Sequence, residues 1–212
     1  MRIFVISDTH GKIERAVEVY KKLSQEAAVD MLVHCGDHYS DAMELRARLG
    51  VPVAAVKGNC DGCFEDDAFS LLDTECGSFL ITHGHMDNVG ISMQNLYYKA
   101  LENGCVGVLF GHTHRAAYVS HEGVYLMNPG SLTAPRDGLG GSFGLIVTSD
   151  DGIWGKVYSY DDFMLPDGVC HEASRLRDSD DNSGKSDSAS TSKKAKVKGG
   201  HLRSLINYSD RF

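Results

Sequence analysis

Short apolar runs recur along the first half of the chain, separated by longer stretches of mixed character. Runs of this length that are rich in β-branched residues are typical of buried strands. Five such runs predict strands, at 2–7 (RIFVIS), 31–35 (MLVHC), 51–56 (VPVAAV), 79–83 (FLITH) and 106–110 (VGVLF).

Helices and hairpins complete the predicted pattern. Apolar residues at helical spacing predict helices over 13–23 and 93–101, the second stopped by Gly104. After residue 112, apolar runs separated by turn residues predict two hairpins, which turn at Gly123 and at Asp151-Gly152. An α/β first part followed by antiparallel strands predicts two β-sheets packed face to face, with helices outside.

The composition changes sharply near residue 165. We therefore expect one folded domain over residues 1–165. Residues 166–200 are dominated by Ser, Asp and Lys and have almost no apolar residues, so we expect this segment to be disordered. Its lysine cluster is expected to be solvated, with contact to an acidic partner as the alternative. Residues 201–212 regain apolar side chains, and either folding back or partner binding would explain them.

Charge and length narrow the class of protein. The chain has 212 residues and a formal charge of −8, which argues against stable nucleic-acid binding. The N-terminal run is too short for a signal-peptide core, and no apolar stretch reaches the ~18 residues of a membrane helix. We therefore expect a cytoplasmic protein without a membrane anchor. Its six cysteines lack the density of a secreted disulfide framework and are expected to be reduced.

Metal-binding residue types follow all five predicted strands. Ligands bind beyond the carboxyl ends of strands in open α/β sheets, so these segments are expected to converge. Carboxylate, imidazole and carboxamide donors suit Mn, Fe, Zn, Ni or Co rather than calcium. In D-x-H and H-x-H, extended backbone would point both side chains to one side. Seven residues exceed the needs of one ion, and a bridging carboxylate would let them serve two: Asp8, His10, Asp37, Asn59, His83, His112 and His114.

Each of these residues also has a structural interpretation, because a single histidine after a strand usually only lies at the edge of the core. Five consecutive strand ends with ligand-type groups favour a shared site. The C-x-x-C pair, Cys60 and Cys63, lacks the second pair that a zinc site needs and any sign of a thioredoxin-like setting, so we interpret it as incidental. His34 and His38 flank Asp37 and are expected to be structural or to support the site indirectly.

Five motifs carry a family resemblance: SDTHG (7–11), CGD (35–37), GNCD (58–61), THGH (82–85) and GHTH (111–114). In this order they resemble the calcineurin-like metallophosphoesterase superfamily. NPGSLTAPR (128–136) and the cysteine of GNCD resemble its small prokaryotic phosphodiesterase branch. The resemblance covers about residues 1–160. It implies an α/β (α+β) fold, a four-layer αββα sandwich of two mixed sheets.

The resemblance also implies a mechanism and a ligand set. Two divalent transition-metal ions, with Mn²⁺ first among Mn²⁺, Ni²⁺, Fe²⁺, Zn²⁺ and Co²⁺, would share a hydroxide that attacks phosphorus in line with the leaving oxygen. The substrate would be a small phosphodiester, with nucleotide-derived compounds among the candidates, and a homo-oligomer is compatible with the family. One ion would be held by Asp8, His10, Asp37 and His114, and the other by Asp37, Asn59, His83 and His112.

Further roles follow the same motifs. Catalytic candidates are Asn59, Cys60, Asp61 and His85, and Arg136 is a candidate for contact with a substrate phosphate, with a surface salt bridge as the alternative. Many superfamily members have His in place of Cys60, where it is thought to protonate the leaving group. A thiol is a weaker acid at neutral pH, which favours diesters with good leaving groups. His85 could supply the proton instead, or orient His83. The rival function is a non-catalytic interaction scaffold on the same fold.

Overall fold

The computed structural model describes residues 1–62, 69–138 and 140–167. Within these ranges the chain forms ten strands and four α-helices. The strands are β1 (Arg2–Ile6), β2 (Met31–His34), β3 (Val53–Ala55), β4 (Phe69–Thr74), β5 (Gly77–Thr82), β6 (Gly107–Leu109), β7 (Ala116–His121), β8 (Val124–Pro129), β9 (Ser142–Ser149) and β10 (Gly152–Ser159). The helices are α1 (Glu14–Glu26), α2 (Tyr39–Leu49), α3 (Gln94–Glu102) and α4 (Tyr160–Met164).

The strands form two five-stranded sheets, in the orders β10-β9-β1-β2-β3 and β4-β5-β6-β8-β7. In the first sheet β1, β2 and β3 are parallel, while β9 is antiparallel to both of its neighbours. In the second sheet β5, β6 and β8 are parallel, and β4 and β7 are antiparallel strands at its edges. Both sheets are mixed, as expected.

The sheets pack face to face because their buried strands are apolar on both sides. In β1, Ile3 and Val5 pack against the second sheet, whereas Phe4 and Ile6 pack beneath α1. Helices α1 and α2 cover the outer face of the first sheet, and α3 covers the outer face of the second. The four-layer αββα sandwich predicted from the sequence is confirmed.

The five predicted strands, both predicted helices and both hairpins are present, with ends shifted by a few residues. Strand β4 and helices α2 and α4 were not predicted. Strand β4 is an edge strand on which Phe69 and Leu71 are exposed and Leu72 is buried, so its apolar pattern is not that of a core strand. The buried face of α2 includes a carboxylate, Asp41, which weakens its apolar periodicity.

The predicted segments 166–200 and 201–212 lie outside the described residues, apart from residues 166 and 167. The domain boundary at 165 therefore stays a prediction. Helix α4 ends at Met164, and its Phe163 is buried in the cluster beneath α1. In the part of the chain that is described, no helix is both long and apolar enough to cross a membrane.

A buried polar network ties the loop after β1 to β2 and α2. The Thr9 hydroxyl donates to Asp41 Oδ2 at 2.6 Å and lies 2.9 Å from His34 Nε2, which must therefore be the donor in that contact. Asp41 Oδ2 also accepts the Gly11 backbone N–H at 2.8 Å. His34 is fully buried, and this burial lowers its pKa to about 4. A neutral His34 thus fixes the loop, which agrees with the structural role expected for it.

Close packing between neighbouring strands leaves no room for a side chain at Gly107 in β6. A Cβ there would lie 2.6 Å from the Phe79 ring and 2.7 Å from the Tyr125 carbonyl oxygen, which belongs to the sheet. We expect Gly107→Ala to lower the free energy of unfolding by about 1–3 kcal/mol through overpacking. Urea denaturation measures this loss. Gly90→Ala is the control, since nothing lies within 4 Å of its Cβ position, and an equal effect of both changes would contradict the packing argument.

Burial of His34 predicts a loss of stability in acid. Its folded pKa of about 4 lies below the 6.5 of an exposed histidine, so between these values the unfolded chain binds the extra proton. The contribution of neutral His34 to the free energy of unfolding is therefore fully present above pH 6.5 and is lost as the pH falls toward 4. Urea denaturation measures the free energy of unfolding at pH 7 and at pH 5. From pH 7 to pH 5 this free energy should fall by about 1–2 kcal/mol less in His34→Gln than in the unchanged protein. Equal drops would contradict a neutral buried His34.

Candidate metal centre

The candidate ligands lie in loops that follow β1, β2, β3, β5 and β6, at one edge of the sandwich. Five of them have left-handed backbone, with φ between 47° and 70°: Asp8, His10, Asp37, His112 and His114. The expectation that D-x-H and H-x-H are extended was therefore wrong. Non-glycine residues are uncommon in this conformation, and it clusters at functional sites where the surrounding structure holds it in place.

One group of side chains brings together Asp8, His10, Asp37 and His114, whose ligand-type atoms all lie within 4.8 Å of one another. His114 Nε2 is 3.3 Å from His10 Nε2 and 3.2 Å from Asp8 Oδ1. His10 Nε2 is 3.8 Å from Asp37 Oδ2. These four residues are the set that the resemblance implies for one ion.

The hydrogen bonds around Asp8 and His114 leave acceptor atoms facing one another. Asp8 Oδ2 accepts the Ser7 hydroxyl at 2.6 Å and the His112 N–H at 3.1 Å, whereas its buried Oδ1 has no hydrogen-bond partner in the described chain. His114 Nδ1 lies 2.7 Å from the Ala134 carbonyl oxygen and must donate to it, which leaves the lone pair of neutral His114 on Nε2. A carboxylate and an imidazole lone pair facing each other require a positive charge, so these residues fit a cation.

The pKa shifts of Asp8 and His114 also indicate that a positive charge between them is favourable. Burial by itself would raise the pKa of Asp8, but the contact with His114 and the nearby imidazoles lower it. The Asp8 carboxylate in turn raises the pKa of His114. A proton on His114 Nε2 would therefore satisfy the pair in the absence of metal, and a metal ion would compete with that proton for the same lone pair.

A second group collects Asn59, His83 and His112 around one carboxamide oxygen. Asn59 Oδ1 lies 3.1 Å from His83 Nε2 and 3.0 Å from His112 Nδ1. His83 Nδ1 lies 2.8 Å from the Cys35 carbonyl oxygen and donates to it, so Nε2 keeps its lone pair toward the site. Burial lowers the pKa of His112 and favours the neutral, metal-binding form of its ring.

Asp37 connects the two groups. Its Oδ2 faces His10 in the first group, while its Oδ1 lies 3.3 Å from His83 Nε2 in the second. The Cys60 backbone N–H donates to Oδ1 at 3.0 Å. A Cβ at Gly58 would collide with this carboxylate, so glycine is required where the GNCD turn passes Asp37. The arrangement places one carboxylate between two clusters of nitrogen and oxygen donors.

The remaining candidates from GNCD occupy different surroundings. The exposed Cys60 thiol donates to Asp37 Oδ2 at 3.3 Å, and desolvation together with this carboxylate raises its pKa to about 11. Asp61 accepts backbone N–H groups from Tyr39 at 2.7 Å and Gly58 at 2.9 Å, so its carboxylate fixes the turn against the start of α2. Its catalytic role stays a prediction. Cys63 lies outside the described residues.

His85 and Arg136 lie at the border of the site. The His85 ring centroid is 5.3 Å from that of His83 and 6.1 Å from that of His112. The orientation of His83 is set by the Cys35 carbonyl, which leaves His85 free for another role. Arg136 is exposed, and its backbone N–H donates to the His114 carbonyl oxygen at 2.9 Å. His38 packs edge-on against His10, with ring centroids 5.2 Å apart.

The supporting contacts include residues that sequence analysis missed. The Ser131 hydroxyl donates to the Asp8 carbonyl oxygen at 2.9 Å, and Asn128 donates to the Gly111 carbonyl oxygen at 2.8 Å. Both residues belong to NPGSLTAPR, so that motif holds two of the left-handed loops. The motif was recognisable in the sequence, but its contacts were not. Asp41 gave no signal because α2 was not predicted.

Comparison with known proteins agrees with this arrangement. The family profile of the calcineurin-like phosphoesterase superfamily domain matches residues 1–151. A probable metallophosphoesterase of Bacillus subtilis is 36% identical over 160 residues, which cover 74% of this chain and 90% of that protein. A phosphodiesterase of Methanocaldococcus jannaschii is 29% identical over 158 residues, with 66% of this chain and 89% of that protein covered.

Solved structures show the same fold at lower identity. A predicted phosphoesterase from Streptococcus pneumoniae superposes with a TM-score of 0.61 at 24% identity, covering 76% of this chain and 90% of that one. Vps29 from Entamoeba histolytica, solved with Zn²⁺, gives a TM-score of 0.57 at 18% identity, covering 76% and 99%. The fold, the ordered motifs and the family match together confirm the resemblance inferred from the sequence. The chain belongs to the calcineurin-like phosphoesterase superfamily.

Proposed function

We propose that this protein is a phosphodiesterase that uses two divalent metal ions. The observation that carries the proposal is the position of Asp37, whose two carboxylate oxygens face different donor clusters. Two-ion sites that hydrolyse phosphate esters need such a shared ligand to keep both ions close to one substrate. The Methanocaldococcus jannaschii relative, a phosphodiesterase, supports the diester as the substrate class.

The donor chemistry favours transition-metal ions. Asp8, His10, Asp37 and His114 would hold one ion, and Asp37, Asn59, His83 and His112 would hold the other. Mixed nitrogen and oxygen donors suit Mn²⁺, which is the first ion to test, as well as Fe²⁺, Co²⁺, Ni²⁺ and Zn²⁺. When bound, the two ions would neutralise charge on the phosphoryl oxygens and acidify a water molecule.

The reaction would be an in-line displacement. A water oxygen forms a bond to phosphorus, the bond to one ester oxygen breaks, and a monoester and an alcohol are released. The departing oxygen takes up a proton. The candidate donors are His85, beside His112 of the second donor cluster, and Cys60, beside the Asp37 carboxylate. The hydrogen bonds of His83 to Cys35 and of His114 to Ala134 keep both imidazoles aimed into the site throughout.

An interaction scaffold on the same fold is the rival function. The similarity to Vps29 bears on the fold alone at 18% identity. In this chain every expected ligand position holds a donor residue, and the donors converge with their lone pairs inward. That convergence, which a scaffold would not need, favours the enzyme.

The shared carboxylate gives the first prediction on activity. After chelator treatment, Mn²⁺ should restore hydrolysis of bis(p-nitrophenyl) phosphate, with about two ions bound per chain. Asp37→Asn should lower kcat/KM by roughly a thousandfold, because both ions lose a charged ligand. Metal analysis and steady-state kinetics measure both effects. The control is Asp150→Asn, which removes an exposed carboxylate in the β9–β10 turn. Full activity in Asp37→Asn would contradict the proposal, and so would a lack of activity in the unchanged protein with ions bound.

The thiol at position 60 predicts a strong dependence on the leaving group. With cysteine in place of an imidazole acid, rates should fall steeply across aryl methyl phosphates as the pKa of the phenol rises. Cys60→His should flatten this dependence by protonating poorer leaving groups, whereas Cys60→Ser should keep the steep slope. The slope of log kcat against phenol pKa measures this. Equal slopes in all three proteins would assign the proton to another group, with His85 as the remaining candidate.

A further inference from the structure

A cavity opens beside the second donor cluster and shares His112 with it. Its volume is about 300 Å³. One wall is the segment 89–93 before α3. The other is formed by Phe110, 112–113, 115–117, Asn128 and Arg136. A volume at the low end of small-molecule sites fits one nucleoside-sized group and is too small for a longer chain of nucleotides.

Part of the inner surface of the cavity is apolar. Phe110, Met93 and Val89 line it and are themselves buried. Ser92, His112, Thr113 and Asn128 also line the cavity. Of these, the buried Asn128 already donates to the Gly111 carbonyl oxygen and to Thr113 Oγ1 and accepts from the Gly130 N–H. A ring that packs against Phe110, Met93 and Val89 would therefore gain apolar contact with them, while its polar edge can face the polar side chains of the opening.

Two exposed arginines, Arg115 and Arg136, also line this cavity. Both are anchored around one residue, since Arg115 follows His114 in the chain and the Arg136 N–H donates to the His114 carbonyl oxygen. In the described ranges neither guanidinium has a carboxylate within 4.0 Å. Two guanidinium groups with no carboxylate partner among the described residues, in a chain of formal charge −8, are suited to binding a phosphate group.

We propose that the cavity binds one alcohol arm of the substrate, a nucleoside-sized group that carries a second phosphate. The ring occupies the apolar interior beside Phe110 and Met93, the second phosphate contacts Arg115 and Arg136, and the reacting diester lies at His112. This inference rests on the proposed phosphodiesterase function and names the substrate class of that site: compact diesters with an additional phosphate.

Two matched probes isolate the second phosphate. Both are p-nitrophenyl esters of a thymidine 5′-phosphate, one with a free 3′-hydroxyl and the other with a 3′-phosphate. With Mn²⁺ bound, the 3′-phosphorylated probe should be hydrolysed with a kcat/KM about tenfold or more above that of its partner. The double substitution Arg115→Ala and Arg136→Ala should abolish this preference, and Arg46→Ala, an exposed arginine of α2, should retain it. Equal rates on both probes, or a preference that survives the double substitution, would overturn the inference.

Binding provides a readout that does not depend on turnover. Isothermal titration of chelator-treated protein with thymidine 3′,5′-bisphosphate should show binding that weakens about tenfold or more in the double variant. Ile91→Glu should also weaken it, because this exposed side chain at the cavity would bring a carboxylate toward the phosphate. Binding that both variants leave unchanged would place the phosphate elsewhere and contradict the inference.

The two experiments separate this inference from the function on which it rests. Hydrolysis of both probes at equal rates would leave the phosphodiesterase in place and remove the cavity as a phosphate-selective site. Arginine-dependent binding by the chelator-treated protein would support the cavity. If the protein with two ions bound per chain then hydrolysed neither probe, that result would contradict the enzyme.

Discussion

The crowding of hydrogen-bond acceptors at one edge of the sandwich is the constraint on which the rest of the structure depends. Acceptor atoms of five residues face one another there, with few donors between them: Asp8 Oδ1, His114 Nε2, His83 Nε2, Asn59 Oδ1 and the Asp37 carboxylate. Asp8, Asp37, His83 and His114 are buried, and charges and lone pairs in such an arrangement repel unless a cation lies among them. His83 and His114 each donate a hydrogen bond from Nδ1 to a main-chain carbonyl oxygen, and these bonds prevent the two rings from rotating out of the site.

The fold resists this repulsion with rigid strands and close backbone contacts. Apolar packing on both faces of β1 fixes the point at which the chain enters the loop of Asp8 and His10. That loop has left-handed backbone at both residues. Thr9 lies between them, and its hydroxyl is hydrogen-bonded to Asp41 and to His34. Strain at a functional site persists only where its surroundings hold it, and here the surroundings are the sandwich itself. The same edge carries the cavity with its two arginines, so the proposed substrate contacts and the candidate metal ligands lie on one scaffold.

The sequence predicted the buried part of this fold well, because strands such as 2–7 and 31–35 are apolar on both faces and need no context to be recognised. It did not predict β4, whose Phe69 and Leu71 are exposed at a sheet edge, or α2, whose buried face includes Asp41. The residues that converge at the site were predicted from strand ends and motifs. The prediction of extended backbone in D-x-H was wrong, because left-handed backbone depends on tertiary contacts that the alternation of side chains along a strand cannot reveal. The arginine-lined cavity joins segments distant in sequence and had no sequence signal beyond Arg136.

The central claim is that Asp37 is shared by two metal ions, and anomalous diffraction from crystals grown with Mn²⁺ tests it most directly. The account predicts two anomalous peaks ~3.5–4 Å apart, one on each side of the Asp37 carboxylate. One peak should lie within bonding distance of Asp8, His10 and His114, and the other within bonding distance of Asn59, His83 and His112. A single peak, or two peaks of which one is not in contact with Asp37, would contradict the shared carboxylate.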